Sequence, residues 1–183
     1  MTNITMNTTS MTFQLATYIK ARELLVHYKL ASVLDIGSGD GKKLQAFIYP
    51  FTKDITVFDL PSGLARLKHK FNKIISGDLN RGYFDFERKF DLIISADCIE
   101  HILLYQNLIE TLKRNSTKDT YIVLSSPDCS TVMKQRSDHK HNWTQSEFEQ
   151  VLNYFGVTIL SCDLVDELDA YPVYKSIIAV CKV

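Results

Sequence analysis

The 183-residue sequence has no surplus of either charge: lysine and arginine number 21, and aspartate and glutamate number 21. A balanced chain has no global field that would draw duplex nucleic acid or an acidic membrane surface to it, so a small polar partner fits better and nucleic acid is disfavoured. Cysteine is scarce. Cys98, Cys129, Cys162 and Cys181 form no CxxC pair and lie mostly within or beside apolar runs, so they read as reduced thiols and point to the cytoplasm. No stretch is long and apolar enough to span a bilayer, which excludes a helical membrane protein. The first twelve residues lack the basic start and apolar core of a signal peptide. Rich in threonine and asparagine, they predict a disordered leader over 1–12, in which the glycosylation-type triplets Asn3-Ile4-Thr5 and Asn7-Thr8-Thr9 are chance matches.

What is present is a repeating alternation of strand and helix over 13–183, the length of one domain, with no internal repeat or linker. Phe13 to Lys29 carries Leu15, Ile19, Leu24, Leu25 and Tyr28 on roughly one stripe and predicts an amphipathic helix. Ser32 to Ile36 reads as a strand buried on both faces, Lys42 to Tyr49 as the crossover helix closed by Pro50. Strands follow at 55–58, 73–76, 90–95 and 120–124, with helices at 62–71 and 99–113 and a loop over 77–89. Thr144-Gln145-Ser146-Glu147 has the capping-box form, so a helix starts there and ends at Gly156. The runs 157–164 and 173–183 are joined by a connector too short for a parallel crossover. The expected fold is therefore α/β: a Rossmann-like, doubly wound, mostly parallel sheet with an antiparallel C-terminal strand and helices on both faces.

The sharpest feature is Val33-Leu34-Asp35-Ile36-Gly37-Ser38-Gly39-Asp40-Gly41, a buried strand that feeds a glycine-rich turn. The dinucleotide fingerprint needs a third glycine where Lys42 stands, and the P-loop needs one more residue before its Gly-Lys pair, with Ser or Thr where Lys43 stands. Neither fits. The run resembles motif I of class I S-adenosylmethionine-dependent methyltransferases, an acidic residue two positions before GxGxG, with Asp35, Gly37, Gly39 and Gly41 in the matching places. An acidic strand end suits a ligand that carries an ammonium and a sulfonium instead of a pyrophosphate.

The resemblance extends from Leu34 to the C-terminus through weaker matches in the right order. It implies S-adenosyl-L-methionine as cofactor and S-adenosyl-L-homocysteine as product, with the loop around Ser38 wrapping the methionine part. It implies that Asp59, with Leu60 beside it, binds the ribose, and that Asp78 and Leu79 bind the adenine. The run from Phe90 to His101 resembles motif IV and brings Asp97 to the cofactor. His141 to Phe148 resembles the family's last helix start.

Methyl transfer from a sulfonium is a direct displacement that needs alignment above all, and a base only for some acceptors. Loops at the carboxyl ends of the strands offer Asp97, Asp128, His139 and His141. His141 and His139 are the catalytic expectations with Asp97, because an imidazole titrates near neutrality. Asp97, Glu100 and His101 with a distant histidine also resemble the E-x-x-E-H plus His pattern of small-RNA ribose methyltransferases and ubiquinone-pathway O-methyltransferases, with Asp in place of the first Glu. A Glu-His pair also occurs in metal-free relatives, so no metal is assigned. The basic residues Lys134, Arg136, His139, Lys140 and His141 read as a solvated loop, and the aromatics are spread along the chain as core. The expected acceptor is a small polar or glycan-like molecule, methylated on oxygen or nitrogen.

Overall fold

A computed structural model describes residues 13–130, 138–167 and 174–183. The leader over 1–12 and the basic residues Lys134 and Arg136 lie outside the described residues. Seven strands form one sheet: β1 (Ser32–Ile36), β2 (Asp54–Asp59), β3 (Lys73–Ser76), β4 (Leu92–Ser95), β5 (Tyr121–Pro127), β6 (Thr158–Glu167) and β7 (Tyr174–Lys182). Their order is β3-β2-β1-β4-β5-β7-β6, parallel through β5, with β7 antiparallel to both β5 and β6. This is the Rossmann-like arrangement that the strand rhythm predicts. The order reverses direction beside β1, and open α/β sheets bind their ligands at such a switch point.

Alternation along β1 divides the core between two faces. Leu34 and Ile36 join Phe58, Ile93 and the apolar sides of α4 (Gln106–Arg114) and α5 (Gln145–Tyr154). Val33 joins Val57, Leu92 and Ile94 under α1 (Leu15–His27) and α2 (Lys42–Phe47). Asp35 has the parity of Val33, so it points under α1. Each fully buried leucine or isoleucine contributes about 1.5–3 kcal/mol, and α4 and α5 supply Leu108, Leu112, Phe148 and Leu152 to the first face.

Two expected helices are shorter than their sequence pattern. The helix over 62–71 contracts to α3 (Pro61–Leu64), which has no side-chain cap. Beyond it Arg66 and Lys70 would stand one turn apart with like charge, an arrangement that weakens a helix. The helix over 99–113 is split into a 3-10 turn, Ile99–His101, and α4. The carbonyl of Glu100 accepts from the amides of Lys140 (2.7 Å) and His141 (3.2 Å), and the amide of Leu103 donates to Asn80 Oδ1 at 2.8 Å. Those groups are spent on tertiary bonds, so the α-helical ladder starts only after them.

Candidate active site

The glycine turn opens the site because three successive alternate residues adopt left-handed backbone: Gly37 (φ 81°), Gly39 (φ 58°) and Gly41 (φ 72°). A Cβ on Gly37 would lie 2.8 Å from Cys98 Sγ, and one on Gly41 would lie 2.7 Å from Leu67 Cδ1. At Gly39 nothing lies within 4 Å, which leaves the loop's apex open to a ligand. A cavity of about 340 Å³ lies there, at the carboxyl ends of β1, β2 and β4.

Of the expected cofactor residues, Gly37, Ser38, Gly39, Asp59, Leu60, Asp78, Leu79 and Asp97 line this one cavity. Asp59 is oriented by two main-chain donors, Gly39 N to Oδ2 at 2.8 Å and Leu60 N to Oδ1 at 2.6 Å. A carboxylate has about four lone-pair directions, so acceptor capacity remains. Asp78 accepts from Asn80 N at 2.9 Å and stands 3.5 Å from Arg81 Nε.

Asp97 has a left-handed φ of 44°. Ser125 Oγ donates to its Oδ1 at 2.7 Å and the Tyr174 hydroxyl to its Oδ2 at 3.2 Å. Burial raises its pKa, against those two hydrogen bonds and the charges of Lys43 and His101.

Two motif residues do not line the cavity. Asp35 is fully buried and accepts from the Tyr18 hydroxyl at 2.9 Å, a consequence of its parity along β1. Burial pushes its pKa up to about 7, with Tyr18 opposing and Asp59 adding to the rise. Gly41 faces Leu67 and Phe71 on the far side of the turn. Both support the loop from behind.

The two expected catalytic histidines also stand outside the cavity lining. His141 stacks on Trp143 (5.1 Å between centroids), meets the edge of Tyr105 (4.9 Å) and bonds through Nε2 to the carbonyl of Leu103 (3.2 Å). Its geometry is that of a packed aromatic. His139 lies against His101, with centroids 4.9 Å apart, and ligand atoms of Glu100, His101 and His139 fall within 4.8 Å of one another. Neither Asp97 nor His141 belongs to that group. Asp128 is buried, with its amide bonded to Lys175, and does not line the cavity.

The cavity is completed by residues that no motif marked. Gln14 and Arg66 stand on its wall with Lys43, whose pKa is lowered by burial against the pull of Asp40, Asp97, Asp35 and Glu167. The sequence signal for Lys43 was its place just after the glycine turn, at the start of the crossover helix. For Gln14 there was none, since its partner Ala96 is 82 positions away.

A methyltransferase-domain family's sequence profile matches residues 13–161. No curated protein sequence matches the chain. Among solved structures, an S-adenosylmethionine-dependent methyltransferase from Clostridium acetobutylicum ATCC 824 is 15% identical, with TM-score 0.67, over 92% of this chain and 91% of that one. The small RNA methyltransferase HEN1 is 20% identical, with TM-score 0.72, over 93% of this chain and 25% of that one. The glycopeptide N-methyltransferase MtfA, complexed with S-adenosyl-L-methionine, is 12% identical, with TM-score 0.67, over 91% of this chain and 94% of that one. At these identities the likeness is one of fold.

Proposed function

The chain belongs to the methyltransferase-domain family as a class I S-adenosylmethionine-dependent enzyme, and from that membership we propose that it methylates an oxygen or nitrogen of a small polar or glycan-like acceptor. The observation that carries the reading is the convergence of Gly37, Gly39, Asp59, Asp78 and Asp97, from four separate segments, on one cavity at the sheet's switch point. When bound, the cofactor supplies an electrophilic methyl on a positively charged sulfur. Asp59 accepts from the two ribose hydroxyls, and Asp78 accepts from the adenine amine. Leu60 and Leu79 offer apolar surface to the base, while the open apex at Gly39 admits the methionine part. Lys43 suits its carboxylate and Asp97 its positive charge. The chain's task is then to hold the acceptor in line with the methyl group, where orientation alone is worth about 7–11 kcal/mol of barrier.

Calorimetry with S-adenosylhomocysteine and with NAD tests the cofactor. Binding of the former alone supports the reading, binding of neither leaves a non-catalytic scaffold, and binding of NAD overturns it. A screen of small amines, alcohols and sugars with labelled methyl donor then identifies the acceptor.

One observation favours a second reading, metal-assisted methylation of a ribose hydroxyl in RNA. Glu100, His101 and His139 bring one carboxylate and two imidazoles together at the cavity's edge, where His101 lines the wall. His101 Nδ1 faces the Asp138 carbonyl at 3.2 Å, which turns Nε2 toward Glu100 Oε1 at 3.8 Å. This donor set fits a divalent ion, with the Asp138 carbonyl orienting the imidazole. An ion there would orient and acidify a hydroxyl. Turnover of a short RNA that persists after chelation and metal removal would dismiss it.

A further inference from the structure

Four non-glycine residues among those described have left-handed backbone, and two of them, Gln14 (φ 66°) and Asp97 (φ 44°), line the same cavity. Such a conformation costs about 1–3 kcal/mol and persists only where its surroundings enforce it. Here they do. Gln14 Nε2 donates to the carbonyl of Ala96 at 3.1 Å, and the Gln14 main chain lies near enough to the Tyr174 hydroxyl to act on it. That hydroxyl donates in turn to Asp97 Oδ2 at 3.2 Å, Ser125 Oγ holds the other oxygen at 2.7 Å, and the Tyr174 ring stacks on Phe13 at 5.7 Å. The start of α1, the end of β4 and the start of β7 are thereby locked into one polar wall.

Gln14 stands at the N-cap of α1, but its side chain makes no capping hydrogen bond. No donor among the described residues reaches its Oε1, so the amide oxygen is available to the cavity that Gln14 lines. The wall follows β4, next to the glycine turn, at the opposite end from Asp78 and Asn80. Given the reading above, this is the methyl end. The charged and titratable groups around it are Asp97, Glu167 from β6, Asp35 from β1, Tyr18 from α1, Tyr174 from β7, Lys43 from α2 and His101 from the 3-10 turn.

We propose that Gln14 and Asp97, held by Tyr174, form the acceptor subsite and receive a nitrogen nucleophile through its N–H groups, which makes Gln14 a specificity-determining residue. The inference rests on the methyltransferase reading and narrows its acceptor to an amine. The amine's hydrogens point to Gln14 Oε1 and Asp97 while its lone pair faces the methyl carbon. As the N–C bond forms the C–S bond breaks, the thioether leaves neutral, and the proton on the methylated nitrogen passes to solvent. A carboxylate or phosphate acceptor offers Gln14 Oε1 and Asp97 no N–H and meets the Asp97 carboxylate.

The test needs no acceptor. Sinefungin carries C–NH3+ in place of sulfur and so places N–H donors at the methyl end, whereas S-adenosylhomocysteine has none there. Calorimetry of both on the full chain measures the ratio of their dissociation constants. Gln14→Leu is expected to lower the preference for sinefungin about tenfold, the loss of one hydrogen bond to a charged group, with S-adenosylhomocysteine binding within about twofold of the parent. Gln14→Glu is expected to keep the preference, and Tyr174→Phe to lower it by freeing Asp97. An unchanged ratio in Gln14→Leu, or an equal loss of both ligands in Gln14→Leu and Tyr174→Phe, overturns the proposal. Failure of the parent protein to bind S-adenosylhomocysteine instead overturns the methyltransferase reading itself.

Discussion

Asp59 carries the largest single burden in the cofactor reading, and its neighbour Gly63 gives a way to test it without removing it. Asp59→Ala deletes the ribose acceptor and is expected to weaken S-adenosylhomocysteine binding at least tenfold, the scale of a charged hydrogen bond. A Cβ on Gly63 would lie 2.3 Å from the Asp59 carboxyl carbon. Gly63 lies within α3 and its φ is not left-handed, so alanine suits the backbone there by about 1 kcal/mol. Gly63→Ala should therefore push the Asp59 carboxylate off Gly39 and weaken binding about as much as Asp59→Ala, with little fall in melting temperature. Calorimetry beside thermal melts separates the two effects; undiminished affinity in Gly63→Ala would mean that the carboxylate has room to shift. Asp59 was marked in the sequence because it closes the second strand, where the resemblance to class I methyltransferases implies a ribose acceptor. Gly63 and Gln14 were not, because their roles are distances across space that leave no periodic trace.

Among the elements, strands were easier to read than helices for a physical reason. β1 falls on the residues that its apolar run predicts, since a parallel strand buried between layers is mostly apolar, and β3 keeps its expected bounds through Ile74 and Ile75 although it is an exposed edge strand. Helix length depends on which backbone groups find partners elsewhere, and Glu100 and Leu103 find theirs in segments distant in sequence. The same dependence displaced the histidines: the main-chain bonds to Glu100 seat 140 and 141 beside the 3-10 turn, which leaves His141 against Trp143 and outside the cavity lining. α5 is a helix whose start the sequence specified through its cap. Thr144 accepts from Glu147 N, and Glu147 Oε2 accepts from Thr144 N at 2.8 Å, the full reciprocal box. Thr144→Ala should cost about 1 kcal/mol of stability, seen as a lower denaturant midpoint. S-adenosylhomocysteine affinity should not move, because no residue of α5 lines the cavity.

Over the whole molecule, formal neutrality conceals an acidic interior beneath the glycine turn. Asp35 is raised from 3.8 to about 7 by burial, and Glu167 from 4.5 to about 7 by burial and the nearby Asp97. A carboxyl whose folded pKa lies above its unfolded value holds its proton longer in the fold. Between about pH 4 and 7 the folded chain therefore binds more protons than the unfolded one, and these two groups make stability fall as pH rises through that window. Asp54, paired with Arg88, and Asp91, which accepts from the amides of Ala31 and Ser32, have lowered pKa values and act in the opposite sense. Their contribution is present above the unfolded carboxylate range and is lost as pH falls below it. The two sets together place the stability maximum of the ligand-free protein at about pH 4, with a decline toward about pH 7 that its zero net charge does not foretell. Melting temperatures from pH 3 to 9 measure this. Asp35→Asn with Glu167→Gln should flatten the descending limb while leaving the acid limb in place, whereas a descending limb that survives the double substitution would assign the alkaline loss to other groups.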